Sequence, residues 1–388
     1  MHIFFSVGEP SGDQHAAHLI QELRRCRPDL TVSGFGGPLM QSAGCSLLYR
    51  LTDLAVMGFL RVIPLLRKFI RLVGAAENYF KTTRPDAVVL VDFPGFNWWI
   101  ARKAKAAGIP VFYYLPPQLW AWAPWRVRRM KKFVDYVLCG LPFEKAWYAE
   151  RGVEAHYVGH PFFDEVADHS LDGPFCKSRL IPGVRNVGVL PGSRNAEIEQ
   201  NWPMMIEIMR QVSAQHENVR FLVANYKQAH LDRCREMVEA SATSPPVEFY
   251  VGNTPEIIEI SECCLMVSGS VSLEMLARRK PALIIYRLSR LLRALAPLVL
   301  CKLQAISLPN VMAGRHVMPE WLISWRPKRD VRQVVETLNA WITDSAQLSE
   351  VEQDISELHE HVVKPGASAR TAEAILSRLP AESSSKAA

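Results

Sequence analysis

Residues 187–199 read VGVLPGSRNAEIE, and this stretch indicates the fold class of the whole chain. It begins with a short, continuous apolar run, which is typical of a strand buried on both faces of a parallel sheet. A Pro-Gly-Ser turn and the start of a helical pattern follow, so the stretch has the order of a βαβ opening. Because this opening lies near the middle of a 388-residue chain, the sequence predicts a second α/β domain that begins here.

The same alternation of short apolar runs and longer helical patterns extends through the rest of the chain. Strands are predicted at 3–7, 87–91, 111–115, 136–139, 187–190, 220–224, 264–267 and 282–286. We therefore predict an α/β fold made of two Rossmann-like, doubly wound parallel-sheet domains that face each other across a cleft.

Turn signals separate the two predicted domains. Periodicity is lost between 164 and 186, where DGP at 172–174 and PG at 182–183 are typical of a linker. We predict an N-terminal domain over 1–170 and a C-terminal domain over 180–350. A helical segment over 351–380 is expected to be able to pack back on the N-terminal domain, and the tail 381–388 is expected to be disordered.

Composition predicts a globular protein with an anionic partner. Hydrophobic residues make up 49% and charged residues 22% of the chain, which excludes extended disorder. The net charge of +6 favours nucleic acid, a phosphorylated metabolite or an anionic membrane surface. The eight cysteines are scattered without a Cys-x-x-Cys pair, so we interpret them as reduced packing residues and predict no metal site.

The termini and apolar segments indicate where the protein works. Residues 1–7 lead straight into a turn without a signal region, so a cytoplasmic location is predicted. The apolar stretch 288–303 is interrupted by arginines and a proline and is too short to span a bilayer. Its leucines favour a membrane-surface patch over a nucleic-acid site, with a core stripe and a solvated basic face as the alternative. The predicted membrane-facing residues are Leu291, Leu292, Arg293, Leu295 and Leu298.

Two polar motifs follow predicted strands in the first half. GEPSGD at 8–13 follows the first strand and leads into a helix, where backbone N–H groups attract a phosphate or a sugar hydroxyl. Asp92 is the first polar residue after strand 87–91, the position of a catalytic base in an open α/β sheet. Both have structural alternatives, because Asp13 could cap a helix and Asp92 could be an N-cap or turn residue.

Two further motifs follow strands in the second half. Gly192, Ser193 and Arg194 form a glycine turn with a hydroxyl and a guanidinium, which suits a diphosphate. SGS at 268–270 offers N–H groups and hydroxyls to a phosphate, and Glu274 could bind a ribose diol. The alternatives are a Ser N-cap with a solvated arginine, and a first-turn glutamate that offsets the helix dipole.

Taken in order, nine segments resemble the lipid-A-disaccharide synthase family over about residues 1–325. They are GEPSGD at 8–13, LAVMG at 54–58, VDFP at 91–94, PQLWAW at 117–122, LPFEK at 141–145, GHP at 159–161, LPGSR at 190–194, SGS with Glu274, and SLPN at 307–310 with Gly314-Arg315.

The resemblance implies a GT-B type, inverting glycosyltransferase that requires no metal and no cofactor. It implies that UDP-2,3-diacylglucosamine is joined through a β(1→6) link to 2,3-diacylglucosamine 1-phosphate, which gives lipid A disaccharide 1-phosphate and UDP. The implied partners are a UDP-sugar donor, a phosphorylated glycolipid acceptor and the inner face of the inner membrane, with no nucleic acid. A homodimer is an arrangement that the resemblance allows.

Roles are carried over residue by residue from the matching motifs. The resemblance implies that Asp92 is the general base and that Arg194 binds the diphosphate. The UDP-sugar site would then contain Gly192, Ser193, Arg194, Ser268, Gly269, Ser270, Glu274, Asn310 and Arg315. The acceptor side would contain Gly8, Glu9, Ser11, Gly12 and Asp13. This chain departs from the family pattern at Gly95, where many relatives carry a second acidic residue, and at His15 and His18.

Other functions stay open at this point. A related GT-B transferase or epimerase would share the fold and the nucleotide site but use a different acceptor. A protein that only binds a membrane surface or nucleic acid is the other class, and UDP-sugar turnover would distinguish an enzyme from either.

Overall fold

The computed structural model describes residues 1–54, 65–121, 123–241, 243–287, 305–323 and 327–379. Within them the chain forms two compact units. The first unit contains Met1–Asp164 and the chain from Lys364 onward, and the second contains Glu165–Val363. The segment 351–380, which the sequence analysis treats as one helical piece, is therefore shared between the two units.

Both units are built from strands that alternate with helices. The strands are β1 His2–Val7, β2 Thr31–Gly36, β3 Ser46–Arg50, β4 Ala87–Val91, β5 Val111–Tyr114, β6 Tyr136–Cys139, β7 Ala155–Tyr157, β8 Arg185–Leu190, β9 Val219–Asn225, β10 Val247–Val251, β11 Cys263–Val267, β12 Ala282–Arg287 and β13 Glu320–Ile323.

The described helices cover both faces of the sheets. They are α1 Pro10–Cys26, α2 Pro38–Ser42, α3 Leu66–Thr82, α4 Pro94–Ala106, α5 Val127–Phe133, α6 Pro142–Ala149, α7 Phe162–Asp168, α8 Gly173–Arg179, α9 Asn195–Ser213, α10 Gln228–Glu239, α11 Thr254–Ile260, α12 Val271–Ala277, α13 Leu308–Ala313, α14 Pro327–Thr343, α15 Ser345–Val362 and α16 Ala367–Leu376. None of the described helices has the length and apolarity needed to cross a bilayer.

Each unit has one fully parallel sheet, as predicted. Among the described residues, the first sheet has the order β3-β2-β1-β4-β5-β6-β7 and the second has the order β10-β9-β8-β11-β12-β13. The central strands β4 and β11 are buried at every residue, because helices cover both faces of the sheet. This burial explains why their sequences are apolar without interruption.

All eight predicted strands are present, and their ends agree with the prediction to within two residues. The strands that the sequence analysis missed are β2, β3, β7, β10 and β13. Four of these form the edges of the sheets, where one side of the strand is unpaired and burial is only partial. Partly exposed strands lack the continuous apolar run that revealed the central ones.

The strand order creates one topological switch point in each sheet. In the first sheet, the chain moves from β1 to β2 and β3 and then crosses to β4 on the other side of β1. In the second sheet, β8 and β11 have the same relation. Ligands of open α/β sheets bind beyond the carboxyl ends of the two strands at this point. The fold therefore predicts that ligands bind at the loops after β1, β4, β8 and β11.

The carboxyl-terminal helix α16 completes the first unit by packing against α1. Asp164, the last residue of the first segment of this unit, caps α16. Its carboxylate accepts hydrogen bonds from the backbone N–H groups of Gly366 at 2.6 Å, Ala367 at 3.1 Å and Ser368 at 2.9 Å. One side chain thus joins positions about 200 residues apart in the sequence.

We expect Asp164→Ala to lower the free energy of unfolding by about 1–3 kcal/mol, because three helix N–H groups lose their acceptor. Urea unfolding measures this change, and amide hydrogen exchange should show faster exchange in α16. Asp164→Asn is the matched control and should lose less, since an amide oxygen can still cap the helix. Unchanged exchange in α16 of the alanine variant would contradict this role.

Candidate functional site

The switch point of the first unit brings together the two polar motifs predicted in the first half. β1 and β4 are paired with Val7 opposite Val91, so the loops that follow them are neighbours. A side chain at Gly8 would collide with the ring of Phe93. A Cβ at Gly12 would lie 3.0 Å from Val7 Cγ1 and 4.0 Å from the Cβ of Asp92. These two glycines are thus needed for close approach of the first turn of α1 to Asp92.

Asp92 has an unusual backbone conformation. Its φ is +46° and that of Phe93 is +45°, so two consecutive residues with side chains adopt the left-handed region. Each such residue costs on the order of 1–3 kcal/mol unless its surroundings hold it. Strained residues of this kind cluster at functional sites.

Two buried donors bind the backbone carbonyl of Asp92. Asn97 Nδ2 and Tyr113 Oη each donate to this oxygen, both at 2.8 Å. Burial raises the pKa of Tyr113 well above its ordinary value, so its hydroxyl stays protonated and can donate. Neither Asn97 nor Tyr113 is a residue for which the sequence predicts a role. The sequence offered one signal for Asn97, which is a polar amide among apolar residues near the start of α4.

The carboxyl group of Asp92 is poised for proton transfer near neutral pH. Burial of the carboxyl group raises the pKa of Asp92 to about 7. The negative charge of Glu9 raises this pKa further, and His15 acts in the opposite direction. A general base is most effective when its pKa lies close to the working pH.

The predicted acceptor-side residues fall into two groups. Glu9 and Ser11 are exposed at the start of α1 and are available to a ligand. Asp13 is 2% exposed, and its carboxylate accepts backbone hydrogen bonds from Gly37, Leu39 and Met40 at 2.8–3.2 Å. The structure therefore uses Asp13 to cap α2, the structural alternative of the sequence analysis, although the capped helix is not its own.

Two further titratable groups of the first unit, Glu144 and His160, lie within the motifs LPFEK and GHP. Glu144 is 2% exposed and accepts hydrogen bonds from the indole N–H of Trp120 at 3.0 Å and from the N–H of Leu141 at 3.1 Å. Burial raises the pKa of Glu144 to about 7. The rings of His15 and His160 are perpendicular at 5.9 Å, and burial lowers the pKa of His160 to about 3, which keeps it neutral.

The switch point of the second unit contains the predicted diphosphate motif. Arg194 is exposed, and its guanidinium donates to Glu197 Oε1 at 2.7 Å. Glu197 Oε2 accepts the backbone N–H groups of Ser193 at 3.0 Å and Arg194 at 3.2 Å. Gly192 has φ +109°, and a Cβ there would lie 2.7 Å from Glu197 Oε2. The turn therefore folds around the carboxylate of Glu197. Glu197 follows Arg194 by three positions, and this capping-box spacing could have predicted the contact.

The loop after β11 is the neighbouring part of the same edge. Gly269 and Ser270 are exposed, and Ser268 is partly exposed. Glu274 lies in the first turn of α12 and is 7% exposed. Its carboxylate accepts a hydrogen bond from Arg278 Nε at 3.0 Å. Burial raises the pKa of Glu274, and the adjacent guanidinium opposes this shift.

Two other residues predicted for the UDP-sugar site have partners within the second unit. Asn310 is fully buried, and its amide binds the backbone of Val317 and Met318 at 2.7–2.9 Å. Arg315 pairs with Asp354 on α15 at 2.5 and 2.9 Å. Asn310 therefore fixes the approach to β13, and Arg315 joins α15 to the loop after α13. The predicted membrane-facing residues Leu291, Leu292, Arg293, Leu295 and Leu298 lie outside the described residues.

Solved structures share the fold. The UDP-GlcNAc 2-epimerase of Neisseria meningitidis, solved with UDP-GlcNAc, matches with a TM-score of 0.62 and 11% identity, covering 97% of this chain and 100% of its own. The glycotransferase of kitacinnamycin matches with a TM-score of 0.62 and 16% identity, covering 98% and 99%. These likenesses identify a GT-B type fold.

Sequence comparison gives the family. The lipid-A-disaccharide synthase of Myxococcus xanthus is 34% identical over 380 residues, which cover 97% of each chain. The family model described as lipid-A-disaccharide synthetase matches residues 3–376. Nearly the whole chain is matched in both comparisons, and the chain belongs to the lipid-A-disaccharide synthetase family.

Proposed function

We propose that this protein is an inverting glycosyltransferase that condenses UDP-2,3-diacylglucosamine with 2,3-diacylglucosamine 1-phosphate. The products are lipid A disaccharide 1-phosphate, with a β(1→6) link, and UDP. Family membership supports the reaction. A single structural observation carries the proposal. The carboxyl of Asp92 lies partly buried at the switch point of the first sheet and has a pKa of about 7.

Asp92 acts as the general base for the acceptor. The acceptor 6-hydroxyl attacks the anomeric carbon from the face opposite UDP, and its proton passes to the Asp92 carboxylate as the new C–O bond forms. One base is sufficient, because inversion needs only one displacement. The exposed Glu9 and Ser11 at the start of α1 contact the acceptor in this proposal, while Gly8 and Gly12 allow the loop to approach the base.

Arg194 stabilises the leaving nucleotide. The bond between the anomeric carbon and the diphosphate oxygen breaks, and UDP gains negative charge. The guanidinium of Arg194 is exposed at the start of the 19-residue helix α9, where the helix dipole also favours an anion. Ser193 and the Ser268–Ser270 turn complete the phosphate site, and Glu274, oriented by Arg278, binds the ribose.

An epimerase would share the fold but not the family. The match to the Neisseria epimerase is limited to 11% identity, which supports the fold alone. The matches at the family level support disaccharide synthesis instead. We also propose that the enzyme works in the cytoplasm at the inner face of the inner membrane, where its lipid substrates lie, and that Leu291 and Arg293 contact this membrane surface. A homodimer is part of the proposal, and analytical ultracentrifugation tests it.

We expect Asp92→Asn to reduce kcat about 10²- to 10⁴-fold, because the acceptor hydroxyl loses its base. The assay follows disaccharide formation and UDP release by mass spectrometry, with both substrates supplied to purified protein. UDP affinity should be unchanged, which shows that the variant is folded. Full activity of the asparagine variant would exclude Asp92 as the base, and UDP binding without disaccharide in the wild type would indicate another acceptor.

The pH dependence of kcat/KM should report the same carboxyl. The base works only when deprotonated, so with a pKa of about 7 we expect kcat/KM to fall about tenfold per pH unit below that value and to level off above it. Initial rates between pH 5 and 9 in buffers of constant ionic strength measure the profile. A profile that stays flat down to pH 5 would mean that a base with an ordinary carboxylate pKa carries the reaction.

Arg194→Ala should weaken UDP binding about 10- to 100-fold, because a charge-assisted hydrogen bond to phosphate is lost. Arg194→Lys should fall between the alanine variant and the wild type, since the charge stays but the bidentate geometry is lost. Arg210→Ala is the matched control, because Arg210 is also an exposed arginine of the α9 region that pairs with a glutamate three positions away. Isothermal titration calorimetry with UDP measures all three. Equal affinities for the wild type and Arg194→Ala would contradict the role of Arg194.

A further inference from the structure

We propose that Asn97 and Tyr113 are positioning residues, which fix the left-handed backbone of Asp92 and Phe93 and thereby aim the Asp92 carboxyl at the acceptor. This inference rests on the proposed role of Asp92 as the base.

The conformation of the Asp92–Phe93 pair requires support from outside the pair. Residues with side chains rarely adopt positive φ, and β-carbon crowding opposes it at both positions here. Asp92 directly follows the buried strand β4, and Phe93 directly precedes α4. A relaxed backbone at this junction would turn the Asp92 side chain in another direction, because the side-chain direction follows φ and ψ.

Asn97 connects three backbone segments at this junction. Its two Nδ2 hydrogens are shared among three carbonyls, those of Asp92 at 2.8 Å, Val91 at 3.1 Å and Ser6 at 3.1 Å from the nitrogen. Its Oδ1 accepts the hydroxyl of Ser6 at 2.7 Å. Asn97 is fully buried, so water does not compete for these groups. The amide therefore ties the ends of β1 and β4 to the first turns of α4, across the switch point of the sheet.

Tyr113 supplies the second donor from the neighbouring strand β5. Its hydroxyl donates to the Asp92 carbonyl at 2.8 Å, and its ring is fully buried and packs edge-on against Trp98 at 5.6 Å between centroids. A carbonyl oxygen has two lone pairs, and Asn97 and Tyr113 together engage it from two elements. Rotation of the peptide between Asp92 and Phe93 would leave both buried donors without this acceptor.

Both donors bind the backbone and not the carboxyl group. A hydrogen bond to the carboxylate would stabilise its charged form and make it a weaker base. A hydrogen bond to the carbonyl fixes where the carboxyl lies without this loss of basicity. The two residues therefore fix the position of the base and do not oppose the rise in its pKa that burial causes.

The test compares Tyr113→Phe with the wild type by steady-state kinetics. This substitution removes only the hydroxyl. We expect kcat to fall about 10- to 100-fold, since a displacement of the base on the order of 1 Å is enough for such a loss. KM for both substrates and the affinity for UDP should change less than about twofold, because neither substrate contacts Tyr113 in this proposal.

Tyr148→Phe is the matched control. Tyr148 is also a fully buried tyrosine of the first unit, and its hydroxyl has no hydrogen-bond partner among the described residues. Its kcat should equal that of the wild type. An equal loss of kcat in both variants would overturn the proposal, because removal of any buried hydroxyl would then have the same effect.

A double-variant cycle tests whether Tyr113 acts through Asp92. In the Asp92→Asn background, Tyr113→Phe should cause no further loss of the residual rate. A full additional loss would overturn the positioning role. Asn97→Ala, which removes the donors without burying a new titratable group, should lose kcat in the same way while UDP affinity is retained.

The outcomes separate this proposal from the function on which it rests. If Asp92→Asn retains kcat, the assignment of the base fails and the positioning role fails with it. If Asp92→Asn loses kcat while Tyr113→Phe retains it, only the positioning role is overturned.

Discussion

Parallel strands cannot be joined by tight hairpins, and this constraint determines where polar chemistry collects in the protein. Each sheet begins at a central strand, β1 or β8, extends to one side and then continues on the other side. The connections after β1 and β4 leave in different directions, as do those after β8 and β11, so the carboxyl ends of these strands stay open. Asp92 and Arg194 follow such strands, and their positions are a consequence of strand order.

The raised pKa of Asp92, the proposed base, lowers the stability of the folded protein near neutral pH. An aspartate in the unfolded chain has a pKa of about 3.9, and burial raises that of Asp92 to about 7. Because the folded-state pKa is the higher one, the folded protein disfavours the ionised form. The resulting destabilisation is absent below the unfolded pKa and grows as the pH rises towards 7. Asp13, also buried, is bound by three backbone N–H groups and serves as a cap. The two aspartates therefore differ in their contacts, because Asp13 accepts backbone hydrogen bonds through its carboxylate and Asp92 accepts side-chain hydrogen bonds through its backbone carbonyl.

Much of the fold could be predicted because the central strands carry a local signal. β4 and β11 are apolar throughout, whereas the edge strands β3 and β10 are only partly buried and were missed. Loop positions after central strands could be predicted for the same reason. The hydrogen bonds that hold the backbone at Asp92 could not be predicted, because Ser6 and Asn97 are 91 positions apart and only the folded sheet brings them together. A sequence motif also does not reveal which groups a buried side-chain amide binds. The amide of Asn310, for example, binds the backbone of the following loop.

The turn at Gly192–Arg194 indicates how a nucleotide site can keep its backbone N–H groups hydrogen-bonded when no phosphate is bound. The N–H groups of Ser193 and Arg194 would be suited to a phosphate, but here they bind Glu197, which also pairs with the Arg194 guanidinium. A diphosphate that uses these groups exchanges one anion for another, so the net gain is smaller than the sum of its new hydrogen bonds. In the proposed function, the same exchange in reverse assists release of UDP, because the Glu197 carboxylate stays close by as the third residue of α9. An enzyme whose product keeps the diphosphate needs such a balance, since a site that bound phosphate too tightly would retain UDP after the transfer.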